Sequence, residues 1–340
     1  MATARDVAER ANVSTSTVSH VMNGTRVVSD ELRARVLAAA HDLGYEANAV
    51  ARSLKTRRSH TIALITPDIG NPFFTAVERG VEDVTTAHGY SLILCNSAED
   101  PRREERYLRM LGAQRVDGLI LASAGERYPY LDRVLQAKTA VVLLDRVLPG
   151  LPAPAVTLDN VDAARMATRH LIGLGHRRIG MIAPRHALSS ATERIAGYRM
   201  ELEMSGIPFD PALIADGRSL LEEARVAAAT ILDLAERPTA LIVGNNLMTL
   251  GAVAAIEARG LRIPEDIAIV GFDDAIWADV LHPRLTTIAQ PTYELGRTAA
   301  DLLLRRIEAP DAPVPLRTAM SGRLLVRESC GASLAAPGRP

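Results

Sequence analysis

The 340-residue sequence predicts an N-terminal all-α helix-turn-helix head followed by an α/β body of two doubly wound parallel-sheet lobes. Three observations carry that prediction. Residues 1–46 read as three short amphipathic helices, the first two separated only by Asn12 and Val13. From Thr61 onward, apolar runs of strand length alternate with helical segments, the pattern of a parallel sheet. The chain is also long enough for a head of about 60 residues and a body with several hydrophobic cores.

In the head, Thr3 precedes a first turn containing Asp6, while Val7, Ala8 and Ala11 share one face, so helix one runs from about Ala4 to Ala11 behind a capping box. Ser14 is a second N-cap, and Val18, Val21 and Met22 form the apolar stripe of helix two. Ser29 caps helix three, where Asp30 and Glu31 complement the positive end of the dipole. Leu32, Val36, Ala40 and Leu43 are expected to face inward there, and Gly44 to stop the helix. The outer face of helix two carries Thr15, Ser16, Thr17 and His20. Hydroxyl side chains lose little entropy on docking and a His donates to guanine N7 or O6, so this face suits major-groove readout of double-stranded DNA, with Arg26 in the next loop as a further contact. A helical hairpin with a merely solvated polar face is the plain alternative.

The net charge is −1, yet residues 1–60 hold nine Arg or Lys against six Asp or Glu, which makes the head +3 and the remainder −4. Attraction to a polyanion is therefore local. The basic segment from Ala49 to Lys55 extends the head, with Arg52 and Lys55 flanking Leu54. Residues at the N-terminus lack the charged and apolar regions of a signal peptide, and no apolar run approaches the roughly 18 residues of a membrane span. A cytoplasmic protein without a membrane partner is expected. Cys95 and Cys330, the only two cysteines, read as structural thiols rather than as a disulfide.

Strand candidates in the first lobe are TIALIT from Thr61, YSLILCN from Tyr90, DGLILAS from Asp117 and TAVVLLD from Thr139, separated by amphipathic helices such as Thr75 to His88. RIGMIA from Arg178, TALIVG from Thr239 and IAIVGF from Ile267 build the second, with helices near Glu193, Glu222 and Leu247. Two such series without a long low-complexity linker are the sequence pattern of a periplasmic-binding-protein-like fold. Ligands of open α/β sheets lie at the carboxyl ends of the strands. Asn71, Phe73 and Phe74 follow the first strand, Asp145 and Arg146 the fourth; Arg194 opens a helix, Asn245 and Asp273 follow TALIVG and IAIVGF, and Gln290 ends LTTIAQ. Carboxylates, guanidiniums and amides together serve several hydroxyls, and a Phe covers an apolar sugar face, a set better suited to a polyol than to a flat base. Taken singly, the aspartates read equally as caps or loop carboxylates, Asn71 as a turn residue before Pro72, and Arg194 as a surface cation.

The stretches ARDVAERANVSTSTVSHVMNGTRVVSDELRARVLAAAHDLGY and NAVARSLK resemble the DNA-binding head of the LacI/GalR repressors, particularly its purine and ribose branches. The resemblance implies that residues 47–60 form a hinge helix on operator DNA. Leu54 would wedge into a central base step of the minor groove while Arg52 and Lys55 neutralise phosphates. Residues 61–330 resemble the ribose-type periplasmic binding proteins, with the nine strand-end residues at matching positions. That likeness implies crossings between lobes near Asp159, Gln290 and Ser321, giving a first lobe of 61–159 and 291–320, a second of 160–290 and 321–330, and a tail of 331–340. One departure stands out. An aromatic residue before the helix near Glu222 is replaced by Ala215-Asp-Gly-Arg-Ser219, which leaves room for a larger or charged ligand with Arg218 nearby, and Asn246 replaces an acid.

Other motifs fail on context. Gly173-Leu-Gly175 follows a helix rather than a strand and lacks the last glycine of a dinucleotide loop, so these glycines end the helix. His170, His176 and His186 lie on different elements without a cysteine or carboxylate at ligand spacing, so no metal is expected. A nucleophile elbow, a Walker loop and a Cys beside a plausible base are all missing, which argues against a sugar-converting enzyme and for a chain without a cofactor. Trp277 reads as a packing residue. The sequence therefore predicts a homodimeric, sequence-specific repressor that reads a pseudo-palindromic operator and responds to a small sugar-like effector. A purine-responsive repressor of the same family is the second reading; whether the effector releases or strengthens DNA binding stays open.

Overall fold

A computed structural model describes residues 2–23, 26–45, 58–126, 128–137 and 139–332. It divides into two compact units, residues 1–60 and 61–340.

In the first unit, α1 (Ala4–Ala11), α2 (Thr15–Asn23) and α3 (Asp30–Asp42) enclose one small core. Thr3 and Asp6 complete a reciprocal capping box at the start of α1, satisfying two orphan backbone donors. Asn12 then turns the chain with a left-handed φ of 51°. The hydroxyl of Ser14 accepts from the Thr17 amide at 3.1 Å and that of Ser29 from the Leu32 amide at 3.4 Å. Val7, Ala8, Ala11, Val18, Val21, Val36, Ala39 and Ala40 are buried together. Leu43, expected inside, is 36% exposed. Helix α3 ends one residue earlier, so Leu43 leaves the helical face, and after Gly44 at φ 58° the Tyr45 ring packs on the core in its place.

The second unit holds two six-stranded sheets. In the first, β1 (Thr61–Thr66), β2 (Ser91–Asn96), β3 (Gly118–Leu121), β4 (Ala140–Leu144), β5 (Ala155–Leu158) and β11 (Arg317–Met320) take the order β11-β5-β4-β3-β1-β2, all parallel. In the second, β6 (Ile179–Ala183), β7 (Ile214–Asp216), β8 (Ala240–Val243), β9 (Ala268–Phe272), β10 (Thr286–Ala289) and β12 (Arg323–Leu325) take the order β12-β10-β9-β8-β6-β7. Among the described residues only β12 runs antiparallel, against β10. Central strands such as β1 and β9 are continuous apolar runs because helices cover both faces. Strands β5, β7, β11 and β12 span three or four residues each, and unlike the equally short β3 and β8 they lie outside the apolar runs singled out in the sequence.

Helices α4 (Pro72–Ala87), α5 (Pro101–Gln114), α6 (Pro129–Gln136) and α11 (Thr292–Glu308) flank the first sheet; α7 (Asn160–Gly173), α8 (Ser189–Met204), α9 (Leu221–Leu232) and α10 (Asn246–Glu257) flank the second. The chain thus passes between lobes after β5, after β10 and after β11. Helix α11 returns to the first lobe by lying directly on α4. Gly80 faces the Tyr293 carbonyl and Gly296 the Val77 carbonyl, each so close that a Cβ would collide with backbone. Cys95 and Cys330 are both free and buried. Among the described residues no helix is long and apolar enough to cross a membrane.

Candidate nucleic-acid interface and ligand cleft

On α2, Thr15 and Ser16 are exposed and Thr17 and His20 half-buried, all off the face that carries Val18 and Val21. The Ser14 hydroxyl lies 2.7 Å from that of Ser16 and 2.8 Å from that of Thr17, so the hydroxyls at the start of this helix are already ordered. Arg26 is exposed. Arg52, Leu54 and Lys55 lie outside the described residues.

The body brings Asn71, Phe73, Phe74, Asp145, Arg146, Arg194, Asn245, Asp273 and Gln290 together around one cavity between the lobes. About 430 Å³ of atom-free space, part of it open to solvent, lies between these side chains. Local structure explains how each wall is held. Asn71 caps α4 by accepting from the Phe73 amide at 2.9 Å, and Pro72 at the first helical position needs no donor. Phe73 and Phe74 pack edge to face, ring centroids 4.9 Å apart. Asn245 caps α10 through the Met248 amide at 2.7 Å and holds the Ser219 carbonyl at 3.2 Å.

Asp145 and Asp273 occupy equivalent places in the two lobes. Each follows a central strand, takes a left-handed φ of 63° or 68°, and donates its amide to the neighbouring strand at 2.9 Å, to Val156 and Ile288 respectively. Aspartate tolerates that conformation better than most residues. Burial pushes the carboxyl of Asp273 up to about 6, against the pull of Arg194 and a 2.6 Å bond from Gln290. It raises Asp145 in the same direction, opposed by Arg146 and Arg194.

Both guanidiniums are largely committed to the protein. Arg146 makes a two-pronged pair with Glu99 at 2.7 and 3.2 Å and donates to the Ser123 carbonyl at 2.6 Å. Burial alone would weaken its basicity, but Glu99 and Asp145 reverse the effect and raise it. Its Nε lies 3.4 Å from Asp145, close enough for an ion pair but without hydrogen-bond direction. Arg194 donates to Asn160 at 2.8 Å and to the Gly244 carbonyl, and stacks 4.3 Å from the Phe272 ring centroid. Its burial lowers its pKa, opposed by Asp273 and Asp145.

Three cavity-lining groups carry a buried polar atom without a hydrogen-bond partner: Arg146 Nε, Ser219 Oγ and Gln290 Oε1. An unpartnered buried group costs about 1–3 kcal/mol. Their concentration here marks a place built for the donors and acceptors of a ligand. The lobes also meet directly, with Asn246 Nδ2 donating to Asn71 Oδ1 at 2.8 Å.

Sequence reasoning missed Asp68, Glu99, Ser190 and Ser219 in the lining. Asp68 and Glu99 follow the first two strands, where the strand-end rule applied more strictly would have found them. Arg218, expected near the ligand, is exposed and lines a separate surface hollow with Glu222 and Val226; Ser219 faces the cavity instead. Both residues are left-handed, at φ 51° and 64°, so neighbours diverge. Burial lowers the pKa of His170 and His176, and among the described residues no group of three or more side chains could hold a metal ion. Gly175, at φ 98°, lies just beyond the end of α7.

A three-helix head with an ordered polar reading face, ahead of a two-lobed body with a polar cleft, defines a class: regulators that join a DNA-reading unit to a small-molecule-binding one. Residues 3–48 match the model of bacterial regulatory proteins of the lacI family, and residues 168–330 that of the periplasmic binding protein-like domain. The ribose operon repressor of Haemophilus influenzae is 39% identical over 92% of this chain and 93% of its own length. A transcriptional regulator CelR–cellobiose complex covers 97% of this chain and 100% of its own, with 33% identity and a TM-score of 0.74. A lac repressor dimer bound to operator and an anti-inducer covers 97% and 99%, with 29% identity and a TM-score of 0.83. The chain belongs to the lacI family of bacterial regulatory proteins.

Proposed function

We propose that this protein is a cytoplasmic repressor that binds a pseudo-palindromic operator as a homodimer and is switched by a sugar-like effector held between its lobes. The observation that carries the effector class is the balance of the cavity. Asp68, Glu99, Asp145 and Asp273 outnumber Arg146 and Arg194 there, and both guanidiniums spend their bonds on Glu99, Asn160 and backbone carbonyls. With Glu99 answering Arg146, what is left over is the carboxylates of Asp68, Asp145 and Asp273 with Gln290 Oε1, and the donors Arg146 Nε and Ser219 Oγ, beside two aromatic rings, an arrangement that serves the several hydroxyls and apolar face of a sugar. The cellobiose in the CelR complex and the operator in the lac repressor complex support the two halves of this reading.

One head offers only a few base contacts, so two heads related by a two-fold axis are needed to read a half-site pair. Thr15, Ser16, Thr17, His20 and Arg26 face the major groove, and paired segments around Leu54 meet in the minor groove between Arg52 and Lys55. The nine strand-end residues hold the effector, and the body acts by binding rather than by turnover. A coupling of about 1–3 kcal/mol between cleft and head suffices for regulation.

The test is a selection of duplexes from a random pool, followed by titration of the enriched duplex with pentoses, hexoses, sugar acids and purines, read by duplex anisotropy and by Trp277 fluorescence. A sugar that saturates the body and shifts duplex affinity is expected. Saturation by a purine alone assigns the second reading; no preference for any duplex, with or without metabolites, refutes the function.

A further inference from the structure

The three crossovers leave β5, β10 and β11, which lie at or next to one end of the strand order in each sheet; β2 and β7 are the edges at the other end. Rotation of the lobes about the crossovers moves that far side most, so a bond placed there is the one that opening must break. On the crossover side, Arg317 pairs with Glu193 at 2.6 and 2.8 Å. On the far side stands Arg185, just beyond β6. Its Nη1 donates to the Ala124 carbonyl at 3.1 Å and its Nη2 to the Glu99 carbonyl at 3.2 Å, both in the opposite lobe. It is half-buried, and bonds from a charged donor are roughly twice as strong as neutral ones.

The landing site is shaped for this. Ala98 and Glu99 are both left-handed, at φ 53° and 54°, a rare conformation for two consecutive residues other than glycine. Asn96 holds the Ala98 amide at 3.1 Å, and the Glu99 amide reaches the Pro67 carbonyl at 2.9 Å. The turn leaves the Glu99 carbonyl to Arg185 while the Glu99 carboxylate grips Arg146 in the cavity wall. One residue thus touches both the cavity and the closing contact.

We propose that Arg185 is a latch that closes the cleft on the side opposite the crossovers, with Glu99 joining the latch to the cavity through Arg146. The latch rests on reading the cavity as a binding cleft, but its test needs no ligand, so it fails separately from the effector assignment. Spin labels at Arg106→Cys and Thr230→Cys, exposed positions on α5 and α9, report the distance between lobes; Cys95 and Cys330 are buried. Labelled protein is diluted with unlabelled protein so that only distances within one chain are read by electron double resonance.

In the ligand-free wild type a short-distance population dominates. Arg185→Ala raises the ratio of open to closed by at least about tenfold, because both bonds are lost and one charge-assisted bond alone is worth about that much. Arg185→Lys, whose ammonium reaches one carbonyl, falls between, and it carries the test if the alanine variant does not fold. A wild type already open without ligand, or variant distributions superimposable on a closed wild type, overturns the latch.

Discussion

Replacing Glu104 by Gln isolates the cost of one buried charge beneath the cavity. Glu104 has no exposed surface; its Oε2 accepts from the Ala124 amide at 2.7 Å and its Oε1 from the Ser123 hydroxyl at 3.2 Å. Burial raises its pKa from 4.5 to about 7, although Tyr128, Ala124, Ser123 and Arg146 all favour the ionised form. A carboxyl whose folded pKa lies above its unfolded one supports the fold while protonated. That support is complete below about pH 4.5 and is lost as pH rises through about 7. At about 1.4 kcal/mol per pH unit, the interval between the two values amounts to about 3 kcal/mol by pH 8. Gln keeps the geometry: its carbonyl takes the Ala124 amide, and its amide donates to Ser123 Oγ, whose one hydroxyl proton then turns to the Gly125 carbonyl 2.8 Å away. Stability of Glu104→Gln minus wild type, from urea unfolding followed by circular dichroism, is therefore expected near zero at pH 4.5 and about 3 kcal/mol in favour of Gln at pH 8. Every other titrating group cancels in that difference. A difference that stays flat with pH, or a wild type more stable than the variant at pH 8, refutes the buried-charge argument.

Arg194→Ala removes the cation between Asp145 and Asp273, so it lowers the melting temperature of the body and abolishes the effector response while ligand-free duplex affinity is unchanged; normal effector binding by calorimetry contradicts this. Leu54→Ala weakens operator binding by at least about tenfold through loss of the wedge with the body's melting unaltered, and an unchanged footprint titration denies the wedge. His20→Ala loses about 1–3 kcal/mol of discrimination at one base pair, so a duplex selection that returns the wild-type consensus removes His20 from base readout.

Much of this molecule is legible because its signals are local. Thr3 with Asp6, Ser14 and Ser29 announce helix starts whose caps form as expected. Seven polar residues and two phenylalanines could be placed because they follow an apolar run or stand in the helix after it, and the fold carries all nine to one cavity, although Arg194 lies in the second turn of α8 rather than at its start. What escaped depends on partners remote in sequence or on backbone that breaks local preference. Glu99 joins the cavity only because Arg146 arrives from the end of another strand. Ser219 and Arg218 are adjacent, and nothing in their identities says that two left-handed turns send one into the cavity and the other to the surface. Leu43 fits the period of α3 but lies beyond its end. The departures at Glu99 and Ser219 fall at the cleft, where local rules give way to the needs of a site, whereas that of Leu43 is a matter of where a helix ends.

The same residues show how a ligand in this cavity would hold the lobes together rather than merely fill space. Asp145 belongs to the first lobe and Asp273 to the second, and each lies beside bonds that lead to a crossover. Asp273 accepts from Gln290, at the second crossover. Arg194, whose charge answers both aspartates, is held by Asn160 just past the first. Asn160 in turn donates to Glu193, and Glu193 pairs with Arg317 on β11, the strand before the third. A ligand that touches only one lobe has equal affinity for open and closed forms and shifts nothing. One with hydroxyl donors at both ends satisfies Asp145 and Asp273 together only when the lobes are near, and that difference in affinity is the source of any signal to the head. For the sugar-like effector proposed above, the spacing of its hydroxyls, more than their number, is then what decides whether it acts.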